Sequence, residues 1–383
     1  MKDIVFICSH PLTLRNEKSF FIKELLEAGF YVEVWNVHKV FFPNWPLGTE
    51  ETINDNYCID IHTFDELINN LKKRVTGNTV FSIDTNIAKI YRYSAFFRLL
   101  KKNKCLTFFM EYNTKLMQNR ITRFALLDLK GKTNMIKNAV SGRLKRLWKA
   151  LFFDFTYDII IGPNPPSNCT RKVFINYFDY EKYRIDSHLP DLINTKYAVF
   201  LDGYFPLHSA IAIYGPEIRN VEETKTRYLK LMCCFFSMIE RQFNVKVVVA
   251  AHPSSKYIES DYGGRIVLKN KTCQLIQHAQ FTIIQSSASV AFAILKRSPL
   301  LYCYTDDYKR YCHTDLLVST AESQLLKTPF IQVEQFVADS ALPIPEPHID
   351  RDACEKYKYT YLTRPEIENR ENKDIILDFF RSL

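Results

Sequence analysis

Short apolar segments alternate with helical segments along most of the chain, and this alternation limits the fold more than any other feature of the sequence. Residues 4–8 form a continuous apolar run, residues 17–29 carry apolar side chains at helical spacing, and residues 31–37 are typical of a second strand. A strand that is apolar on both faces is typical of a parallel sheet covered by helices. The beginning of the chain therefore predicts a β-α-β unit.

The same pattern continues through the first half and starts again after a polar, proline-containing stretch near residues 180–194. Further strands are predicted at residues 79–83, 106–110, 158–161, 197–201, 246–250, 265–268, 281–284 and 300–304. The sequence therefore predicts an α/β fold with two Rossmann-like domains in tandem. We expect these domains at residues 1–185 and 195–365, followed by a C-terminal helix at 366–383 that crosses back to the first domain.

The composition excludes several classes of protein. Hydrophobic residues make up 47% and charged residues 24% of the 383 residues, which is a globular balance and not that of a disordered chain. The ten cysteines include no C-x-x-C pair, so we expect buried thiols in a reducing compartment. No apolar run approaches the ~18 residues of a membrane-spanning helix, and no signal-peptide core is evident. These features predict a cytoplasmic protein.

Polar residues follow three predicted strands of the second half, where an open α/β sheet binds its ligands. Asp202-Gly203 follows the first of these strands, and a carboxylate there suits a general base. His252-Pro253 follows the next, and the proline restricts the backbone beside the imidazole. Ser286-Ser287 lies between a strand and an apolar helix, where hydroxyl and backbone N–H groups can bind an anion. Capping of a turn or helix is the structural alternative for the aspartate and the serines.

These features together resemble a known family. Tandem Rossmann-like halves with Asp202-Gly203, His252-Pro253 and Ser286-Ser287 in that order are similar to the GT-B glycosyltransferases of bacterial surface polysaccharides. Among them, the chain most resembles those that use CMP-activated acidic sugars, namely sialic acid, other nonulosonic acids or Kdo. The resemblance implies a GT-B fold whose two domains face each other across a cleft. It also implies a CMP-sugar donor and a glycan or lipid-linked glycan acceptor in capsule, lipopolysaccharide or O-antigen synthesis.

The resemblance also implies roles for individual residues. His252 would help the CMP group to leave, and Asp202 would activate the acceptor hydroxyl. Leu201 stands where the family often has a first acid, so Glu17, Asp84 and Glu111 stay open as alternative bases. The nucleotide is expected to contact His252, Pro253, Ser286, Ser287 and Ser289. The acceptor or the cleft is expected to contact His10, Arg15, Asn16, Glu17, Lys18, Glu111, Asn164 and His208. No metal or other cofactor is expected, because helix N-termini and a histidine can neutralise the leaving phosphate.

Positive charge is concentrated in one segment. Residues 120–149 contain nine basic side chains and a single acid, Asp128, whereas the whole chain has a net charge of +9. Apolar residues at helical spacing accompany Arg143, Lys145, Arg146 and Lys149, which is typical of an interfacial helix attracted to anionic lipid. We therefore expect peripheral association with the inner membrane. A basic helix that packs its apolar stripe on its own domain is the alternative.

Two other functions are compatible with parts of this pattern. A GT-B transferase that uses a UDP- or GDP-sugar would have the same architecture. A non-enzymatic nucleic-acid-binding protein could use the basic segment to contact phosphates. The second alternative leaves the polar residues at the strand ends unexplained, so we expect no nucleic-acid partner.

Overall fold

The structure is a computed structural model that describes residues 2–43, 51–75, 77–84, 87, 94–111, 156–165, 169–208, 211 and 216–383. The described residues up to Asn176, together with Arg364–Leu383, form one compact unit, and Tyr177–Thr363 form a second. The chain therefore passes from the first unit to the second and returns. The basic segment at residues 120–149, including Arg143, Lys145, Arg146 and Lys149, lies outside the described residues.

A seven-stranded sheet of entirely parallel pairs forms the centre of the first unit, in the order β3-β2-β1-β4-β5-β6-β7. Its strands are β1 (Asp3–Cys8), β2 (Val32–Asn36), β3 (Cys58–Asp60), β4 (Thr79–Ile83), β5 (Leu106–Met110), β6 (Ile159–Gly162) and β7 (Arg171–Phe174). Strands β1 and β4 are neighbours but not consecutive, so the strand order reverses between them. This reversal is the switch point at which doubly wound sheets bind ligands.

Helices cover the first sheet. They are α1 (Leu14–Ser19), α2 (Ile22–Glu27), α3 (His38–Phe41), α4 (Phe64–Arg74) and α5 (Ser94–Lys102). The single helix expected at residues 17–29 is divided, because Phe21 has a left-handed φ of 55° and separates α1 from α2. Trp35, Phe81 and Phe96 are fully buried in one core cluster of this unit.

The C-terminal segment completes the first unit, which confirms the expected crossing back. Helix α14 (Asn372–Arg381) starts later than residue 366 and places Phe380 against Phe30 and Phe108, with ring centroids 6.2 and 5.3 Å away. The Asn372 side chain accepts a hydrogen bond from the Asn176 N–H and donates one to the Asn176 carbonyl, each at 2.7 Å. Both asparagines are fully buried, so this pair anchors the returning chain.

A six-stranded sheet of parallel pairs forms the centre of the second unit, in the order β10-β9-β8-β11-β12-β13. Its strands are β8 (Tyr197–Leu201), β9 (Lys246–Ala251), β10 (Val267–Lys269), β11 (Thr282–Ile284), β12 (Leu300–Tyr304) and β13 (Phe330–Gln332). Successive β8 side chains point to opposite faces of the sheet. Tyr197 and Val199 enter one core cluster, whereas Ala198 and Phe200 enter the other.

Within the described ranges, eight helices belong to the second unit. They are α6 (Phe178–Asp186), α7 (Val221–Phe243), α8 (Thr272–His278), α9 (Val290–Lys296), α10 (Asp306–Tyr311), α11 (His313–Leu326), α12 (Val333–Ala338) and α13 (Arg351–Tyr357). The second unit also has a 3-10 helix at Glu259–Tyr262 and a π-helix at Lys358–Leu362. Helix α7 has Asn220 as its N-cap, and the Asn220 side chain accepts a hydrogen bond from the Glu223 N–H.

The two-sheet α/β architecture agrees with the sequence pattern, but some elements differ. Strands β3, β7 and β13 were not predicted, because charged or polar residues interrupt each of them and none is a continuous apolar run. The units divide at Asn176–Tyr177 and Thr363–Arg364, whereas the sequence suggested boundaries between 185 and 195 and near 365. The reason for the first difference is α6, whose Tyr180 packs in a core cluster of the second unit.

Candidate functional site

Three of the predicted residues lie at one edge of the second sheet. Strand β8 is hydrogen-bonded to β9 on one side and to β11 on the other, and all three run parallel. Asp202, His252 and Ser286 follow the carboxyl ends of these strands. A side chain added at Gly203 would lie 3.7 Å from the Ser286 carbonyl oxygen, so the β8 and β11 turns approach closely. This edge is the switch point of the second sheet.

Asp202 is buried at this edge, with only 4% of its surface exposed. Its Oδ1 accepts a hydrogen bond of 2.8 Å from the Tyr204 N–H. Burial raises the pKa of the carboxyl, and the hydroxyls of Tyr262 and Ser255 and the His252 N–H offset part of that rise. A base has to contact the acceptor hydroxyl, whereas this carboxyl has little exposed surface. Its role as the base remains a prediction.

His252 is held in one orientation by the backbone that follows it. Its Nδ1 accepts a hydrogen bond of 3.1 Å from the Ser254 N–H. In the neutral imidazole the proton therefore resides on Nε2, which can donate it to an anion. Pro253 is exposed and belongs to the same turn. The orientation predicted from His252-Pro253 thus depends on the backbone N–H of Ser254 as well.

His208 packs against His252, with ring centroids 4.7 Å apart and an interplanar angle of 83°. Burial lowers the pKa of His208, while the charge of Asp315 raises it. Burial raises the pKa of Asp315, and His208 lowers it. His208, which was expected to contact the acceptor or the cleft, lies beside the His252 turn of the second unit. Asp315 was missed, because it lies on α11 and follows no strand.

The serine-rich turn is fixed by local hydrogen bonds. The Ser287 hydroxyl accepts a hydrogen bond of 3.2 Å from the Ser289 N–H. Gln285 precedes this turn, and its side chain accepts a hydrogen bond of 2.6 Å from the buried Tyr228 hydroxyl. Ser286, Ser287 and Ser289 all remain partly exposed. Ser287 therefore has the turn-capping role that was the structural alternative, and Ser286 lies closest to the β8 turn.

The switch point of the first sheet also carries titratable groups. The Ser9 hydroxyl donates to Asp84 Oδ2, which joins the ends of β1 and β4. His38 Nδ1 lies 3.2 Å from the Ser9 carbonyl oxygen and donates to it, because a carbonyl can only accept. The His10 and His38 rings are 5.5 Å apart. Burial lowers the pKa of His10, the charge of His38 lowers it further, and Asp84 raises it.

The other predicted residues of the first unit have different environments. Glu17 on α1 is buried, accepts a hydrogen bond of 2.6 Å from the Tyr57 hydroxyl and lies 3.2 Å from Lys23 Nζ. Arg15 and Lys18 are exposed on the same helix, and Asn16 is partly exposed. Glu111 follows β5 and Asn164 follows β6, so both lie at the same sheet edge as His10. The backbones of Gly162 and Glu111 approach each other closely there, because a Cβ atom added at Gly162 would lie 2.9 Å from the Glu111 carbonyl oxygen.

A cavity of about 240 Å³ opens beside this edge. Its polar lining includes Asn36, Asn54, Asp55 and Asp60, and the Asn36 side-chain amide donates to Asp60 at 2.6 Å. Its remaining lining residues are Pro11, Leu12, Val34, Ile53 and Cys58. Neither this cavity nor His38 was predicted. Asn36 and His38 could have been found from the sequence. Asn36 is the last residue of β2, and His38 directly follows the strand predicted at residues 31–37.

Among the residues that the structure describes, no group of three or more His, Cys, Asp or Glu side chains could hold a metal ion. Within the same residues, no helix has the length and hydrophobicity needed to cross a bilayer.

No protein-family model matches the sequence, and no curated protein has a similar sequence. Solved structures do match. The spinosyn rhamnosyltransferase SpnG is 11% identical, with all of both chains covered and a TM-score of 0.50. The chain has the GT-B fold. SpnG complexed with thymidine diphosphate is 12% identical, again with full coverage, at a TM-score of 0.48. MurG of Acinetobacter baumannii is 8% identical over all of both chains, at a TM-score of 0.45.

Proposed function

We propose that this protein is a glycosyltransferase that moves an acidic sugar, a nonulosonic acid or Kdo, from a CMP-sugar to a glycan acceptor. The observation that carries the proposal is the oriented His252 at the switch point of the second sheet, next to the Ser286 turn. The GT-B fold shared with SpnG supports sugar transfer in general. The choice of CMP and of an acidic sugar depends on the motif resemblance described above.

The donor phosphate would bind at the edge of the second sheet. His252 would donate its Nε2 proton to a phosphate oxygen of the departing CMP, which removes negative charge as the glycosidic bond breaks. Ser286 and Ser289 would add hydroxyl or backbone N–H donors, with Pro253 beside them. His208 would support the His252 ring through their edge-to-face contact. We propose that these groups act without a metal ion.

We assign the base to His10 of the first unit. The proton of the acceptor hydroxyl would pass to the His10 imidazole while the acceptor oxygen forms a bond to the anomeric carbon and the bond from that carbon to the CMP oxygen breaks. Burial keeps the pKa of His10 low, so the imidazole is neutral and able to accept a proton at neutral pH. Asp202 would instead hold the β8 turn in place, because its carboxylate is buried.

The cavity beside His10 would bind the acceptor. Asparagine side chains accept and donate hydrogen bonds to sugar hydroxyls, aspartate carboxylates accept them, and apolar side chains pack against the C–H face of a sugar ring. Asp55 and Asp60 would repel a carboxylate. We therefore expect the acceptor sugar to be uncharged. Peripheral attachment to the inner membrane through Arg143, Lys145, Arg146 and Lys149 remains a prediction.

The proposal is tested by incubating the purified protein with CMP-sialic acid or CMP-Kdo and a panel of neutral glycans, with chelator present. Product is detected by mass spectrometry. We expect glycosylated product from a CMP-sugar and none from UDP- or GDP-sugars. Product only from a UDP- or GDP-sugar would retain the fold and disprove the donor class. Absence of transfer from every donor would disprove the activity.

A further inference from the structure

His38 is a buried titratable group to which the proposed mechanism gives no role. It is the first residue of α3, just beyond the end of β2, and only 5% of its surface is exposed. Strand β2 pairs with β1, and His10 follows the carboxyl end of β1. Both residues therefore belong to the carboxyl edge of the first sheet. A buried imidazole needs partners for its ring nitrogens, because leaving one unsatisfied costs free energy.

Three hydrogen bonds fix the position of His38. Its Nδ1 donates to the Ser9 carbonyl oxygen at 3.2 Å. Its backbone N–H donates to the Asn36 side-chain oxygen, also at 3.2 Å. Its carbonyl accepts from the Phe42 N–H at 2.7 Å, which closes the turn of α3. The ring, the N–H and the carbonyl are all engaged, so the side chain is held in one orientation.

The contact with Ser9 also determines where the imidazole proton of His38 resides. A carbonyl oxygen can only accept, and a neutral imidazole carries a single proton. That proton is therefore on Nδ1, and Nε2 of the neutral ring can only accept a hydrogen bond. Ser9 is itself fully buried, and its hydroxyl donates to Asp84 Oδ2. The residue that fixes the His38 tautomer is thus anchored in turn.

The ring of His10 is the neighbour that can donate to His38 Nε2. The two ring centroids are 5.5 Å apart, with an interplanar angle of 35°. Rings stacked face to face would lie about 3.5–4.0 Å apart, so these rings approach through their edges, where the nitrogens are. Burial lowers the pKa of His10 and the charge of His38 lowers it further, as expected of a close neighbour.

A chain of hydrogen bonds connects His38 with the cavity that would bind the acceptor. The Asn36 side chain accepts from the His38 N–H and donates to Asp60 Oδ1 at 2.6 Å. Asn36 and Asp60 both line that cavity. Because the Asn36 carboxamide is rigid and bonded at both ends, the cavity wall and His38 keep a fixed relation to each other.

We propose that His38 is the positioning residue of His10, the base of the proposed sugar transfer. His38 Nε2 accepts a hydrogen bond from one ring N–H of His10, which keeps the other His10 nitrogen unprotonated. As the acceptor oxygen bonds to the anomeric carbon, its O–H bond breaks and an N–H bond forms at that nitrogen. His10 becomes an imidazolium, and His38 retains its own proton. The role in transfer rests on the proposed function, whereas the hydrogen bond between the two rings does not.

NMR spectra of the imidazole nitrogens test the hydrogen bond without any substrate, because they distinguish protonated from unprotonated nitrogens. The full chain is studied at a pH at which both rings are neutral, and the His10 signals are assigned by their loss in His10→Gln. We expect a proton on Nδ1 of His38 and a single tautomer of His10. A proton on Nε2 of His38, or two tautomers of His10 in the wild type, would overturn the proposal.

Variants of His38 test its effect on His10 in the same spectra. His38→Phe has no acceptor nitrogen and should give a mixture of His10 tautomers. His38→Gln has an amide oxygen that can accept in place of Nε2, so it should retain the wild-type tautomer. His62→Phe, which replaces an exposed histidine of the same unit, is the control and should leave His10 unchanged. Thermal unfolding identifies the folded variants. An unchanged His10 in folded His38→Phe, or equal mixtures in both His38 variants, would overturn the proposal.

Transfer kinetics measure the consequence for the reaction. His38→Phe should lower kcat by about 10–100-fold, which is part of what a general base contributes, and leave KM for the acceptor nearly unchanged. The pKa of His10 should rise without the His38 ring, so the acid limb of the pH profile of kcat should move to higher pH. A normal kcat and pH profile in His38→Phe would overturn the proposal. If no donor supports transfer, the proposed function fails while the NMR spectra still decide whether His38 orients His10.

Discussion

At the scale of the residue, burial distinguishes side chains that the sequence places in equivalent positions. Asp202 and His252 both follow a strand of the same sheet, yet the carboxylate is enclosed and the imidazole is partly exposed. The difference comes from the polar groups around each. Asp202 lies among the Tyr204 N–H and the hydroxyls of Tyr262 and Ser255, whereas His252 Nδ1 binds one backbone N–H of its own turn.

His252→Ala should lower the turnover number by about 100-fold or more, because the departing phosphate loses a proton donor. Folding should be unaffected, since the ring lies on an exposed turn. Initial rates of product formation and circular dichroism provide the measurement. His313→Ala, which replaces another exposed histidine of the second unit, serves as the control. A normal turnover number in the His252→Ala variant would show that His252 is not the proton donor to the departing phosphate.

Asp202→Asn should leave the protein folded and retain most of its activity. The amide oxygen can still accept from the Tyr204 N–H, and the cost of burying a negative charge disappears. Burial raises the pKa of Asp202 in the folded state above its value of 3.8 in the unfolded chain. The free energy of unfolding therefore decreases as the pH rises above 3.8 and the carboxyl has to ionise. Thermal unfolding at neutral pH is therefore expected to show an equal or higher midpoint for the variant. A folded variant with no transferase activity would restore the role of Asp202 as the base.

Glu322→Gln should remove a pH dependence of stability. Glu322 accepts hydrogen bonds from the Tyr302 and Tyr357 hydroxyls, and burial raises its pKa from 4.5 to about 7. The folded state thus holds the proton more tightly, and stability decreases as the pH rises from 4.5 to about 7. We expect urea unfolding to show a loss of stability between about pH 5 and about pH 8 that is roughly 1–3 kcal/mol larger in the wild type than in the variant. The same loss in both proteins would assign it to other groups.

At the scale of the element, the sequence pattern predicted the strands that belong to apolar runs and missed the strands that polar residues interrupt. The three residues of β11 lie within the run predicted at 281–284. Strands β3 and β13 were missed, because Asp60 and Gln332 leave neither as a continuous apolar run. They form strands because a neighbouring parallel strand pairs with their backbone.

Asn372→Ala should destabilise the first unit by about 2–4 kcal/mol. It leaves the buried Asn176 N–H and carbonyl without the two hydrogen bonds that hold the start of α14. Urea unfolding followed by circular dichroism measures the loss. Lys373→Ala, an exposed change on the same helix, should cost less than about 0.5 kcal/mol. If the two variants were equally stable, the asparagine pair would not be the anchor.

At the scale of the whole molecule, the order of the strands brings residues from distant parts of the chain together. In the second unit, Asp202, His252 and Ser286 meet because β9 and β11 both pair with β8. In the first unit, the β1–β4 pairing places Ser9 beside Asp84. Each switch point thus collects polar groups from strands that are adjacent in the sheet, some of which are far apart in sequence.

CMP should raise the thermal unfolding midpoint in the presence of a metal chelator, and UDP and GDP should have a smaller effect. A ligand that binds only the folded state stabilises it by about 2.7 kcal/mol at 100 times its dissociation constant. His252→Ala should reduce the shift, whereas His313→Ala should not. A shift that requires added divalent cation would contradict the metal-free proposal. Preference for UDP or GDP would contradict the choice of nucleotide.

Local patterns in the sequence were enough to predict the α/β class, the division into two Rossmann-like halves and the strand ends that carry polar residues. These features are local, because apolar runs and helical spacing reflect the surroundings of each segment. Only the tertiary structure decided that Asp202 is enclosed, that His208 packs on His252, and that Asn36, Asp55 and Asp60 share a cavity with Leu12. The physical reason is that side-chain burial and contact depend on which distant segments pack together, and that packing has no signature within any single stretch of the chain.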